Sequence, residues 1–148
     1  MSRVLAIDFG HARIGLSISD PRMLIASPLA VIKGSKDPEK AAKSVVTDVK
    51  ALLTKHQIEI ELIVVGLPLH LNGTESPRSA ECRRFAQVLA ELMGYKVELF
   101  DERMTTLQAE RSMKEANLSR KKRSGSIDSV SSTILLQSFL DLHSKAPL

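Results

Sequence analysis

Two hydrophobic rhythms alternate along the chain. From Val4 to Phe9 and from Ile14 to Ser19, β-favouring residues run almost unbroken. Only Gly10-His11-Ala12-Arg13 separates the two runs, a spacing short enough for a hairpin. A third run, Leu29 to Lys33, follows the turn signals Asp20-Pro21 and Ser27-Pro28, so the N-terminal part predicts three antiparallel strands. The period then changes. Asp37-Pro38 has the form of an N-cap with proline at the first helical position. Behind it Ala42, Val45, Val46, Val49, Leu52 and Leu53 repeat at helical spacing, which predicts a helix to about Lys55.

Leu62 to Gly66 is a short continuous apolar run, as a parallel strand buried on both faces requires. A long loop with Leu67-Pro68-Leu69 and Asn72-Gly73-Thr74 follows. Ser76-Pro77 then opens a second helix, with Cys82, Phe85, Ala86, Leu89, Leu92 and Met93 on one face and Gly94 as its stop. Lys96 to Phe100 predicts a fifth strand. Thr105 with Gln108 three residues on forms a capping box for a third helix to about Ala116, which Asn117 ends. Leu118 to Ser126 is basic, contains a glycine and is expected to be mobile; a last apolar helix runs from Ile127 to about Leu142. The predicted order is β-β-β-α-β-α-β-α-α, an α/β domain with right-handed crossovers between its later strands and no internal repeat.

Composition narrows the classes. At 148 residues and 43% hydrophobic content, the chain has material for one domain with one real core, not for two large lobes. The single cysteine, Cys82, allows no intramolecular disulfide, and no Cys/His cluster has zinc-site spacing, so a reducing, cytoplasmic setting is expected. No window approaches bilayer-crossing length and no apolar leader follows a basic start, so a soluble protein without a membrane partner is expected. The net charge of +4 is uneven: residues 103–123 hold seven basic residues against two acidic ones, and the rest is slightly acidic. A one-sided basic surface favours a polyanionic partner, though a solvated charged loop has the same composition. Aromatic residues make up only 3% of the chain, with no tryptophan, which disfavours reading splayed bases on stacking rings.

Strand alternation sends Val4, Ala6 and Asp8 to one face of the first strand and Leu5, Ile7 and Phe9 to the other. Asp8 thus stands at the carboxyl end of that strand, where ligands collect in sheets with parallel neighbours. Asp101 and Glu102 follow the fifth strand in the same way, and Asp128 lies in the first turn of the last helix. Brought together, positions 8, 101/102 and 128 would form a carboxylate cluster, costly as bare anions and stable around a divalent cation. Taken singly, Asp8 also suits a strand-ending turn, Asp128 a helix-dipole partner, and Glu102 with Arg103 a surface ion pair. His11, His56, His70 and His143 show no shared site, and Cys82 reads as packing.

Four stretches, AIDFGHARIGLSISD, VVGLPLHLNGT, FDERMTT and IDSVSSTILLQ, resemble in order and spacing the signature blocks of the YqgF/RuvX family of bacterial nucleases, across nearly the whole chain. The resemblance implies a ribonuclease H-like fold, a five-stranded mixed sheet of order 3-2-1-4-5 flanked by helices. It also implies a nuclease centre with Mg2+ or Mn2+. Carried over, Asp8, Glu102 and Asp128 match the metal-binding acids, with Asp101 in reserve; Arg13, Arg103 and Thr105 match positions for phosphate contact. Arg120, Lys121, Lys122 and Arg123 add a basic segment for nucleic acid. Ser131-Ser132 stands where the family has paired alanines, and Ala12 where a lysine is common; two small hydroxyls should still let the last helix approach the sheet.

The resemblance implies trimming of the 5′ end of pre-16S ribosomal RNA in ribosome maturation, with structured precursor RNA and the ribosomal subunit as partners, by a monomer or weak homodimer. Cleavage of branched DNA, as by a Holliday junction resolvase, is the second enzyme reading. A silent RNA-binding assembly factor is a third, and it predicts that acid-to-alanine changes leave function intact. DFGHARIG also resembles the first phosphate loop of sugar-kinase and actin-like ATPases, but those need two lobes to close over a nucleotide and this chain supplies one.

Overall fold

The computed structural model describes residues 2–105 and 120–143, with side chains from residue 130 onward in the second stretch. Ser2–Phe9 (β1), Arg13–Ser19 (β2), Ala26–Lys33 (β3), Glu59–Leu67 (β4) and Lys96–Asp101 (β5) form one mixed sheet of order β3-β2-β1-β4-β5. The first three strands are an antiparallel meander, while β1, β4 and β5 run parallel. The carboxyl ends of those three strands therefore share one edge of the sheet.

Pro38–Lys55 (α1) and Pro77–Met93 (α2) cover one face. The Asp37 carboxylate accepts Glu39 N–H at 3.0 Å, and Ser76 and Ser79 cap each other reciprocally, so both predicted helix starts hold. Beneath these helices Leu5, Ile7, Phe9, Val45, Val49, Ile63, Val65, Phe85 and Leu89 form the larger core. Arg120–His143 (α3) covers the opposite face, where Val4, Ala6, Val64 and Phe100 meet Leu135, Leu136, Phe139 and Leu140. Ser132 is fully buried there, its hydroxyl 2.6 Å from that of Ser17, so the serine that replaces alanine does let the helix close on the sheet.

Several boundaries differ from the sequence reading: β1 opens at Ser2, before Val4, and β4 at Glu59, before Leu62. β3 starts at Ala26, not Leu29, and takes in Pro28, read as a turn signal. An edge strand tolerates proline because one row of its donors needs no ladder partner, and the β2–β3 register shifts nearby, between Leu16 and Ser17. The last helix begins at Arg120, not Ile127, so residues 120–126 are helical and not a loop. Lys and Arg are good helix formers, and one glycine costs only about 1 kcal/mol. Thr105 already lies inside a helical turn starting at Arg103, and its hydroxyl donates to the Glu102 carbonyl at 2.7 Å, so it is not an N-cap. The remainder of the predicted third helix, to Ala116, lies outside the described residues. No helix among the described residues is long and apolar enough to cross a membrane.

Candidate active site

Alternation that fills the smaller core with apolar side chains delivers acids at its upper rim. On β1 the face reads Val4, Ala6, Asp8; on β4, Val64, Gly66; from β5, Phe100 and then Glu102. Glu102 folds over Gly66. A Cβ at position 66 would stand 2.4 Å from the Glu102 carboxylate oxygen Oε1, so a larger residue there would displace the Glu102 side chain from this position. The Glu102 N–H donates to the Leu67 carbonyl at 3.0 Å, which fixes the turn leaving β5. Burial, and then the nearby charge of Asp8, push the Glu102 carboxyl up to about 7, against an opposing pull from Arg78. Asp8 and Glu102 are thus electrostatic neighbours on the α3 face.

Asp101 turns elsewhere. Its carboxylate accepts Arg103 N–H at 2.9 Å and takes the guanidinium in a fork, with Nε at 2.9 and 3.1 Å and Nη2 at 2.6 Å. That hydrogen bonding holds it below the usual carboxylate range. The two acids diverge, as expected from alternation: Glu102 lies within the electrostatic reach of Asp8, and Asp101 is engaged by Arg103.

Arg103 in turn reaches the long loop after β4, its Nη1 donating to the Leu71 carbonyl at 3.3 Å. Gly73, at φ +88°, lets that loop pass against the same guanidinium. Arg13 is exposed at the start of β2. Thr105 spends its hydroxyl proton on Glu102. Arg120, Lys121, Lys122 and Arg123 open α3, and Asp128 lies about two turns into it and not in its first turn, because the helix starts at Arg120; the side chains of all five are outside the described residues.

A second cluster was not foreseen. Arg78, in the first turn of α2, donates from Nη2 to the Phe9 carbonyl at 2.6 Å and lies 5.1 Å over the Phe9 ring. Its Nη1 pairs with Glu81, which also meets His11 Nε2 at 2.6 Å. Hydrogen bonding by His11, and then by Arg78, draws the Glu81 carboxyl below its ordinary value. His11, expected to share no site, thus closes a bracket that holds the chain leaving Asp8. The legible signal was Arg78 and Glu81 at i, i+3 on a helix that starts at the carboxyl edge of the sheet. Cys82 is buried and its thiol is pushed up to about 12, which suits packing and not nucleophilic chemistry.

Among the described residues no group of three or more His, Cys, Asp or Glu is close enough to hold a metal. The pair Asp8 and Glu102 offers hard oxygen donors; burial first, and the charge of Asp8 second, raise the Glu102 pKa, and a cation would relieve the second of these. That chemistry fits Mg2+ or Mn2+ better than a soft metal. Among the described residues, one groove of about 550 Å3 lies near Lys50 and Tyr95 and another of about 330 Å3 near Arg22 and His143, both away from the acids.

Comparison with known proteins gives a consistent picture. A family model described as "RuvX: Holliday junction resolvase" matches residues 2–142. Relatives named "Putative pre-16S rRNA nuclease" include one from Protochlamydia amoebophila, 46% identical with 95% of this chain and 93% of the relative covered. Another, from Pelotomaculum thermopropionicum, is 41% identical over 94% of this chain and 86% of its own. Among solved structures, Thermus thermophilus RuvC in complex with a Holliday junction substrate is similar at TM-score 0.57 and 16% identity, covering all of both chains. A second Thermus thermophilus RuvC structure aligns at TM-score 0.51 and 14% identity over 99% of both chains, and at these identities the likeness is one of fold. The fold is ribonuclease H-like, with the strand order the motifs led us to expect.

Proposed function

Because the chain belongs to the RuvX family, we propose that it is a divalent-metal-dependent nuclease that hydrolyses phosphodiester bonds at the 5′ end of pre-16S ribosomal RNA in the cytoplasm. The observation that carries this reading is the meeting of Asp8 and Glu102 at the carboxyl ends of β1 and β5, on the face that α3 covers. Asp8, Glu102 and Asp128 would hold Mg2+ or Mn2+. A divalent cation bound there supplies Lewis acidity to the scissile phosphate and a more acidic water as nucleophile. The chain's own part is geometric. Gly66 admits the Glu102 side chain, Arg78 grips the Phe9 carbonyl beside Asp8, and the Leu67 carbonyl fixes the Glu102 backbone, so both carboxylates are set before substrate arrives. Glu102 must shed its proton to act as a ligand. Arg13, Arg103 and the basic residues Arg120, Lys121, Lys122 and Arg123 would hold the sugar-phosphate backbone, which suits recognition by charge and shape in a chain with few aromatic rings. Thr105 orients the turn and not the phosphate, since its proton is already used.

The family description favours a second reading, cleavage of branched DNA by a symmetric pair of subunits. The test is a cleavage assay with Mn2+ or Mg2+ on a precursor ribosomal RNA 5′ segment and a four-way DNA junction side by side, with and without the small ribosomal subunit. Cleavage of the RNA, lost in Asp8→Asn, is the expected result. Paired cuts in the junction alone would assign the resolvase, and tight RNA binding without any cut would assign the silent assembly factor.

A further inference from the structure

Leu71 is 93% exposed, the most exposed large apolar side chain among the described residues. A lone surface leucine is ordinary. This one is held out on a loop that is tied down at every turn. The His70 N–H donates to the Thr74 carbonyl at 3.0 Å and the Gly73 N–H to the His70 carbonyl at 2.8 Å. The Asn72 side chain accepts from Thr74 N–H at 3.0 Å and from the Thr74 hydroxyl at 2.7 Å, and the Ser76 hydroxyl anchors the Pro68 carbonyl at 2.6 Å. The loop is also fastened to the site, because Arg103, the residue after Glu102, donates to the Leu71 carbonyl and is gripped by Asp101. Met104, half exposed, adds a second apolar side chain next to Arg103 in the chain.

We propose that Leu71 is a specificity-determining residue, an apolar wedge that enters the base stack next to the scissile phosphate. Apolar side chains inserted between base steps partly unstack them, at a cost in stacking energy. That cost is least where the stack is already interrupted. The substrate class is therefore nucleic acid cut where a duplex meets a single strand or a branch. The end of a paired precursor segment and the centre of a junction are both such places. Preorganisation is what makes the leucine effective: a loose loop would surrender the gain to its own ordering entropy.

This inference rests on the nuclease reading, so its test separates the two. An RNA hairpin with a 5′ single-stranded extension, carrying 2-aminopurine at the last paired position, is bound by the Asp8→Asn protein, which is expected to leave it uncut. Fluorescence should rise on binding, fail to rise with Leu71→Ser added, and return with Leu71→Met. In the otherwise unchanged protein, Leu71→Ser should lower kcat/KM on the hairpin boundary roughly tenfold more than on an unpaired strand, the rate equivalent of about 1.4 kcal/mol. A fluorescence rise that persists in Leu71→Ser, with cleavage lowered equally on both RNAs, would overturn the wedge while leaving the nuclease intact. Cleavage of both RNAs unaffected by Asp8→Asn would overturn the site assignment, and the fluorescence comparison would still judge Leu71.

Discussion

Toward α1 and α2, β1 presents Leu5, Ile7 and Phe9, and the Phe9 ring stacks on Phe85 at 4.5 Å within a deep apolar core. Toward α3 the same strand presents Val4, Ala6 and Asp8, and among the described residues that face is stitched by hydroxyls: Ser17 to Ser132 at 2.6 Å, Ser17 to Thr133 at 2.9 Å, and Val4 N–H to Ser19 at 2.9 Å. One strand thus serves two purposes through alternation alone. The first face gains stability from area removed from water. The second carries buried hydroxyls and half-buried carboxylates, polar groups whose burial has to be offset by partners. Stability and chemistry are divided by face, not by segment of sequence.

The largest effect that would sharpen this division comes from Asp8→Asn. Metal-dependent cleavage should fall by well over about a hundredfold, more than the loss seen when only a ligand's supporting partner is disturbed. The circular-dichroism spectrum should be unchanged, because the removed charge contributes nothing to the apolar core. Phe85→Ala attacks the other face. It should cost about 3–5 kcal/mol by urea unfolding, the usual range for deleting a buried aromatic ring, while cleavage by the folded fraction persists.

Glu102→Gln tests the tension at the rim. In the metal-free protein the Glu102 carboxyl titrates near 7, against an ordinary 4.5. The folded state therefore holds this proton more tightly than the unfolded chain. Ionisation costs stability as pH rises from about 4.5 to 7, and the cost is constant above that window. The variant should melt higher than the parent at pH 8, and the difference should shrink toward zero at pH 4.5. Metal binding by the parent should strengthen across the same rise in pH, as the competing proton leaves.

Smaller effects belong to the edges. Reversing Lys121 and Lys122 to Glu should weaken RNA binding and flatten its dependence on salt, by roughly one unit of log-log slope for each phosphate that is no longer neutralised. An unchanged slope would remove the start of α3 from the binding surface. Ser17→Ala should cost about 1 kcal/mol, a typical net value for a buried hydrogen bond, and leave cleavage untouched.

Local signals made most of the fold legible. Short runs of β-favouring residues located the strands, Asp37-Pro38 and Ser76-Pro77 located two helix starts, and alternation placed Asp8 opposite Ile7. What escaped was set by distance along the chain. Pro28 reads as a turn until its strand is known to be an edge, and the start of α3 is settled by helix formers outweighing one glycine. The choice between Asp101 and Glu102 needed the glycine at 66 and the guanidinium at 103, which no window of sequence brings together. The Arg78, Glu81 and His11 bracket joins residues about seventy positions apart. Nothing within the first hairpin itself points to a partner at the start of α2.

The central claim is that the carboxylates on the α3 face hold the metal on which cleavage depends. Calorimetric titration of the metal-free protein with Mn2+ at pH 8, for the parent, Asp8→Asn and Glu102→Gln, tests it without relying on any substrate. The account predicts saturable binding in the parent and its loss in both variants while each stays folded. Binding of Mn2+ by both variants as tightly as by the parent would contradict it.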